Sequence, residues 1–263
     1  MQNEPDCRCV MMPNVTISIV SHRQFALVAE LLADIEHYCK QDVAEVILTL
    51  NLPEDLPLPE HGYSFPLRII NNKQPLGFGE NHNQALADGG GEYFCVLNPD
   101  IRICANVFEP LIDVFQDNPR IGLVAPRIIN AEGDDEDSAR HFPTPWEIMG
   151  KLVGLGSRRS GLDARPIGFP DWVAGMFMLI PASVFRMVGG FDTRYFLYYE
   201  DVDLCARLRL RDYDIAVCRD ATVIHNARRS SHRNLKYLRW HATSMLRFFT
   251  SRTYREIRTV SKV

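Results

Sequence analysis

The stretch YFCVLNPD, residues 93–100, decides the fold. Its first five residues, Tyr93 to Leu97, form an apolar run short enough for a strand. Asn98-Pro99-Asp100 then stops the run, because proline has no N–H to give a ladder and Asn and Asp favour turns. A carboxylate is thereby held at the end of a buried strand. Apolar or β-branched runs recur on both sides of it, at 15–20 (VTISIV), 44–50 (AEVILTL) and 67–70 before it, and at 121–125, 172–180, 215–218 and 222–224 after it. Between them lie helical patterns. Residues 23–38 place Phe25, Val28, Leu31, Leu32 and Ile35 on one face. Further helices are expected at 81–87, at 106–116 with Asn106 as N-cap, at 181–187 with proline in the first turn, and at 201–211. Strands that alternate with helices predict an α/β domain whose mostly parallel central sheet is flanked by helices. Ligands of such sheets sit beyond the carboxyl ends of the strands, so the residues that follow strands are the informative ones.

Composition narrows the classes. A chain of 263 residues with 46% apolar and 24% charged residues suits one globular core. The net charge of -4 gives no surplus for nucleic acid. No apolar run approaches the roughly 20 residues of a bilayer span, and residues 1–12 lack the apolar run of a signal peptide. Seven scattered cysteines, an odd number, fit a reducing cytosol, and Cys7-x-Cys9 lacks the partners of a metal site. The expected organisation is a flexible tail at 1–13, in which Met11 or Met12 is an alternative start, a main domain at 14–232, and a basic amphipathic segment at 233–263.

Four polar constellations follow or precede strands. Asp100 is either a turn residue or a ligand for Mg²⁺ or Mn²⁺, hard cations that use one or two carboxylates plus substrate phosphates. In NNKQPLGFGENHN (71–83), Gly77 and Gly79 let the backbone approach a ligand, and Asn72, Asn81 and Asn83 offer amides; a plain turn is the other reading. After Gly190-Phe191-Asp192 comes YFLYYEDVD (195–203), four aromatics that lead into three acids at a helix start. Such acids gain about 0.3–1 kcal/mol from the helix dipole whatever else they do. Adjacent residues on a helix diverge, however, so Glu200 and Asp201 can hold separate roles. His225 ends the last apolar run and is a structural residue or a metal ligand. Two loops carry less. The acidic 131–138 (AEGDDEDS) lacks the spacing of a calcium loop and reads as a solvated hairpin tip. The glycine-rich 150–170 reads as a flap over an acceptor or as a variable surface loop.

Taken in order, ISIVSH, NNKQPLGFGENHNQAL, VLNPDIRI, VAGMFMLIPASVFRMVGGFD, YFLYYEDVDLCARL and VIHNARRSS resemble the family 2 glycosyltransferases of the GT-A fold, in particular their rhamnosyltransferase-like branch, from Val15 to about Phe249. The resemblance implies an inverting, metal-dependent transfer of a sugar, rhamnose first, from dTDP-rhamnose or a UDP-sugar to a saccharide or lipid-diphosphate acceptor in cell-envelope polysaccharide synthesis. It makes Asp100 the metal-binding acid of a DxD motif, with Mg²⁺ or Mn²⁺, and His225 a contact to that metal or to phosphate. It makes Asp201 the general base, with Glu200 beside it. Ser21 and Asn51 would lie near base and ribose; Gly77, Asn81, Asn83 and Asn98 would line the donor pocket; Gly175, Tyr199 and Glu200 would face the acceptor. Asn98 departs from the first acid of the motif, and Asn51 stands where an acid often follows the second strand.

The segment 233–262 holds eight Lys and Arg against the single acid Glu256, interleaved with Leu235, Leu238, Met245, Leu246, Phe248 and Phe249. Such a helix lies on an anionic membrane or packs on the core with a solvated basic face; the resemblance favours the membrane. The expected location is cytoplasmic, at the inner face of the plasma membrane. Two rival classes stay open. A sugar-phosphate nucleotidyltransferase would carry a glycine-rich loop where SIVSHRQF (18–25) has none. A non-catalytic sugar-nucleotide binder would have no need of the acids in EDVD.

Overall fold

A computed structural model describes residues 14–55, 57–58, 62–146, 165–226 and 235–260. The tail at 1–13, the boundary at 232/233 and most of the expected 150–170 flap lie outside the described residues. Four strands, β1 (Val15–Ser21), β2 (Val43–Leu50), β3 (Leu67–Asn71) and β4 (Tyr93–Leu97), run parallel in the order β3-β2-β1-β4. All residues of β1 and β4 are buried, as strands covered on both faces must be. The short β5 (Ile101–Ile103) follows β4 and reaches the far edge of the sheet. There it pairs antiparallel with β11 (Asp214–His225), which runs parallel to β6 (Ile121–Ile129). β10 (Phe177–Pro181) joins the halves, antiparallel to β4 and to β6. β8 (Ile167–Gly168) also pairs with β11, and β7 (Ala139–Arg140) with β9 (Trp172–Val173) in a separate ribbon.

Helices cover both faces. On one, α1 (Phe25–Tyr38) buries Val28, Leu31, Leu32 and Ile35 beside α3 (Phe108–Asp117) with Phe108 and Leu111. On the other lie α2 (Phe78–Asp88), α4 (Ala182–Met187), α5 (Glu200–Arg209) and the C-terminal pair α6 (Leu235–Thr250) and α7 (Arg252–Val260), which contribute Leu86, Phe185, Leu204, Phe248 and Ile257. Among the described residues no helix is long and apolar enough to cross a membrane, and Cys39, Cys95, Cys104, Cys205 and Cys218 are free thiols.

Several boundaries differ from the sequence reading. The run 172–180 is two strands, because residues 174–176 leave the ladder to contact α5 and the turn after β4. Pro181 closes β10, and α4 begins only at Ala182. The runs 215–218 and 222–224 are one strand, bent by an irregularity between Cys218 and Thr222. Asn106 does not sit directly before α3: Val107 is the N-cap, while the Asn106 side chain accepts the Phe108 N–H at 3.0 Å and donates to Asp42 at 2.9 Å. The helix expected at 81–87 begins at Phe78, and this changes the role of its glycine. A Cβ on Gly79 would lie 2.4 Å from the Phe191 Cβ, so the glycine makes room for that side chain. A Cβ on Gly77 would meet the Phe196 backbone carbonyl at 2.9 Å.

Candidate active site

The parallel strands β1, β2 and β4 end on one edge at Ser21, Asn51 and the turn 98–100. That turn is clamped from both sides. The Asn98 N–H donates to the Met176 carbonyl at 2.9 Å, and the Asn226 N–H donates to the Asp100 carbonyl at 2.9 Å. Asp100 is thereby set beside His225, at the end of β11, with Nε2 and Oδ2 3.3 Å apart. The other Asp100 oxygen is buried without a hydrogen-bond partner. On its far side, His225 meets Glu136 through Nδ1, at 2.8 Å. Burial pulls the His225 pKa down, but the hydrogen bond and charge of Asp100, and then those of Glu136, outweigh it and lift the value to about 8.

This pair fits a hard divalent cation. Two neighbouring ligands of an octahedral ion with bonds of about 2.1 Å stand about 3 Å apart, close to the observed separation, and the orphaned Asp100 oxygen has capacity to spare. Among the described residues no three His, Cys, Asp or Glu side chains form a complete metal cluster, so the remaining positions would fall to diphosphate oxygens and water, the usual arrangement for such ions.

A second acidic centre lies across residues 174–176. Its geometry begins with strain. Tyr198 and Tyr199 have φ of 70° and 67°, the left-handed region that side chains avoid at roughly 1–2 kcal/mol per residue. Packing holds them there: Tyr199 is buried against His241, Phe248 and Phe249, and Ser244 donates to the Leu197 carbonyl at 2.9 Å. α5 starts directly after this kink, which aims its first two acids apart. Asp201 accepts the Gly175 N–H through Oδ2 at 3.1 Å and the Val202 N–H through Oδ1 at 2.8 Å. Burial still leaves its pKa above the ordinary aspartate range, against the pull of those N–H groups. Glu200 is buried, has one oxygen without a partner, and is pushed well above the usual carboxylate range by burial first and the Asp201 charge second. The same two causes push Tyr199 up to about 12. Asp203, the third acid, is paired with Arg207 at 2.7 Å, and Arg207 also donates to the Val188 carbonyl; its work is structural. Residues 175 and 176 thus join the centres: one holds Asp201, the next holds the turn that bears Asp100.

The amides expected to face a donor are engaged within the chain. Asn51 accepts from the Leu76 N–H and from Asn72, and its own amide reaches the Leu76 carbonyl at 2.9 Å and His22 at 2.7 Å. Asn81 accepts from Asn72 and donates to the Gly77 carbonyl. Asn83 clamps both backbone groups of Phe191, each at 2.8 Å. Asn51 and Asn81 thereby fix the shape of the 72–77 loop, while Asn83 holds the chain at Phe191. Ser21 is buried and accepts the Gln24 N–H at the start of α1. Glu136 and Arg140 were not singled out in the sequence. Arg140 lies over the Trp172 ring at 5.3 Å, donates to Asp137, and its charge is felt by Asp201. The signal for Glu136 was the acidic run 131–138, which is a hairpin with an exposed tip, as expected, whose residue 136 turns back to the sheet edge.

The doubly covered, mostly parallel sheet, with these acids gathered at its carboxyl edge, is a GT-A fold. Solved structures share the fold. The chain superposes on 82% of its own length and 44% of the partner's with GalNAc-T7 bound to UDP, GalNAc and Mn²⁺ (TM-score 0.62, 14% identity). For the mannosyltransferase PcManGT of Pyrobaculum calidifontis with GDP-Man and Mn²⁺ the figures are 90% and 65% (TM-score 0.60, 16% identity). Residues 17–179 match the sequence model of glycosyl transferase family 2, and the chain belongs to that family. Its relatives include the N-acetylglucosaminyl-diphospho-decaprenol L-rhamnosyltransferase of Mycobacterium tuberculosis, 28% identical over 64% of this chain and 61% of that protein. They also include the rhamnosyltransferase WbbL of Escherichia coli, 29% identical over 89% of this chain and 92% of that protein. The family assignment and its rhamnosyltransferase-like branch therefore stand, although the chain spans under two thirds of the mycobacterial relative.

Proposed function

We propose that this protein is an inverting glycosyltransferase that moves a sugar, rhamnose first, from a dTDP- or UDP-sugar to a hydroxyl of a saccharide or lipid-diphosphate acceptor. The observation that carries this reading is the bridge 175–176, which sets a helix-start acid beside the acid–imidazole pair. Asp100 and His225 would hold Mg²⁺ or Mn²⁺, and a metal so bound offsets the charge that develops on the leaving nucleoside diphosphate, a contribution of several kcal/mol. The loop 72–77, shaped by Asn51 and Asn81, would form one wall of the donor pocket, with Ser21, Gly77, Asn83 and Asn98 beside it. Asp201 takes the proton of the acceptor hydroxyl as that oxygen attacks the anomeric carbon from the face opposite the diphosphate, so configuration inverts. The Gly175 and Val202 N–H groups keep the Asp201 carboxylate aimed, while burial, by raising its pKa, makes it a better base. Glu200, largely neutral at low pH, and Tyr199 face the acceptor side.

The C-terminal helices support a membrane location. Leu235, Leu238, Ala242 and Leu246 recur at spacings of three and four residues and are exposed, the three leucines by 82%, 65% and 65%. Arg239 flanks that stripe, and Arg252, Arg255 and Arg258 are exposed along α7. An apolar face with basic flanks suits an anionic lipid surface at the cytoplasmic side. The test of the donor reading is calorimetry of dTDP-rhamnose and UDP-sugars with and without Mn²⁺. Asp100→Ala is expected to abolish the metal-dependent part of donor affinity; equal donor affinity in mutant and wild type, with and without Mn²⁺, overturns the metal assignment.

A further inference from the structure

We infer that Glu136 is a positioning residue that presents the His225 Nε2 lone pair to a divalent cation, and that the acidic hairpin 131–138 exists to deliver it. The inference rests on the metal reading above. A carboxylate can only accept, so the 2.8 Å contact between Glu136 and Nδ1 puts a ring proton on Nδ1. By the same rule Nε2, 3.3 Å from Asp100, carries a proton while no metal is bound, and that proton, not the one held by Glu136, is the one a cation shared with Asp100 displaces. The carboxylate also fixes the plane of the ring, the usual office of an acid behind a metal-bound histidine.

The hairpin is built to hold Glu136 in place. Asn130 accepts the N–H groups of Glu132 and Asp134 at 3.0 and 2.8 Å, and the Asn130 N–H donates to the Asp134 carbonyl. Asp135 is pinned by Arg127 at 2.5 Å, with Arg219 at 3.9 Å. The Glu136 N–H donates to the Ile128 carbonyl on β6 at 2.9 Å. A tip that served only solubility would need none of these anchors. Because they do not involve the Glu136 carboxylate, its removal should leave the hairpin standing.

The experiment compares wild type, Glu136→Ala, Glu136→Gln and Asp100→Ala. Calorimetry measures Mn²⁺ affinity with saturating dTDP, and long-range ¹H–¹⁵N NMR reads the His225 tautomer without metal at a pH well above 8, where the ring is neutral. Glu136→Ala is expected to weaken Mn²⁺ binding by about 10–100-fold, the range for loss of such a partner, and to shift His225 from the Nδ1–H form to a mixture. Glu136→Gln, whose carbonyl can still accept from Nδ1, should recover much of both. Mn²⁺ affinity within about twofold of wild type in Glu136→Ala, while Asp100→Ala loses binding, overturns the positioning role and leaves the metal reading intact. An unchanged tautomer in Glu136→Ala overturns it as well. If wild type binds no Mn²⁺, or Asp100→Ala binds it as wild type does, the metal reading falls and this inference falls with it.

Discussion

Replacing Asp201 with Asn separates chemistry from structure. Each Asp201 oxygen accepts one backbone N–H, from Gly175 at 3.1 Å and Val202 at 2.8 Å. An amide has one acceptor atom, so either orientation of Asn turns an NH₂ toward one of those donors and breaks a hydrogen bond. That costs about 1–3 kcal/mol, offset in part because a charge that burial disfavours is gone. For a chain of this size each kcal/mol moves the melting midpoint by about 2–4 °C, so the variant stays folded at 25 °C. The loss of the base is larger: about 10²–10⁴ in transfer rate, which at 1.36 kcal/mol per tenfold is about 2.7–5.4 kcal/mol in the barrier. Donor affinity should change little, because Asp100 and His225 are untouched. The assay is transfer of the labelled sugar from the proposed nucleotide-sugar donor, with Mn²⁺, to a saccharide or lipid-diphosphate acceptor on which the wild type is active, beside calorimetric donor affinity and melting. The wild-type rate should fall as pH drops through the raised pKa of Asp201, above the ordinary value of about 3.9, as the base becomes protonated; the variant should lack that limb. Transfer by Asp201→Asn within about threefold of wild type refutes the general-base role. A dipole-only role predicts that outcome, with a loss of a fraction of a kcal/mol in stability.

Glu200 tests the electrostatics with the sign fixed in advance. Its folded pKa is raised, so its neutral form suits the fold: its contribution to stability is complete below the unfolded value of about 4.3 and is lost as pH rises through the folded value. Glu200→Gln should therefore gain melting temperature relative to wild type as pH goes from 5 to 8, and a flat difference across that range would contradict the burial argument. For the membrane face, Leu235, Leu238 and Leu246 replaced together by Ser should release the protein from vesicles rich in anionic lipid in low salt. No wild-type binding to those vesicles, or unchanged binding by the variant, removes the membrane proposal.

Much of the fold was legible because its signals are local. The apolar runs of β1 and β4, and the helical spacing of Val28, Leu31, Leu32 and Ile35, each bury one element whatever its neighbours do. The short strands β5, β7 and β8 were not read, since two or three residues carry no period. The break at 174–176 escaped because its cause, the contacts of Gly175 with Asp201 and of Met176 with Asn98, lies 26 residues away for one and in the turn after β4 for the other.

By itself the sequence determined the α/β class, the family resemblance, and Asp100, Asp201 and His225 as candidates, because a strand-end acid, an acid pair at a helix start and a strand-end histidine are each written within a few adjacent residues. Tertiary structure alone decided what the Asn and Gly residues of 71–83 do. Asn83 grips Phe191 across 108 positions, and Gly79 makes room for that same Phe191, so residues whose chemistry suits a ligand serve packing. It alone also gave Glu136 its partner, 89 positions away. An acidic turn reads the same in sequence whether it meets water or a histidine; which it meets depends on how β6 and β11 are paired, and that is fixed by the burial of their apolar side chains and not by any property of the turn.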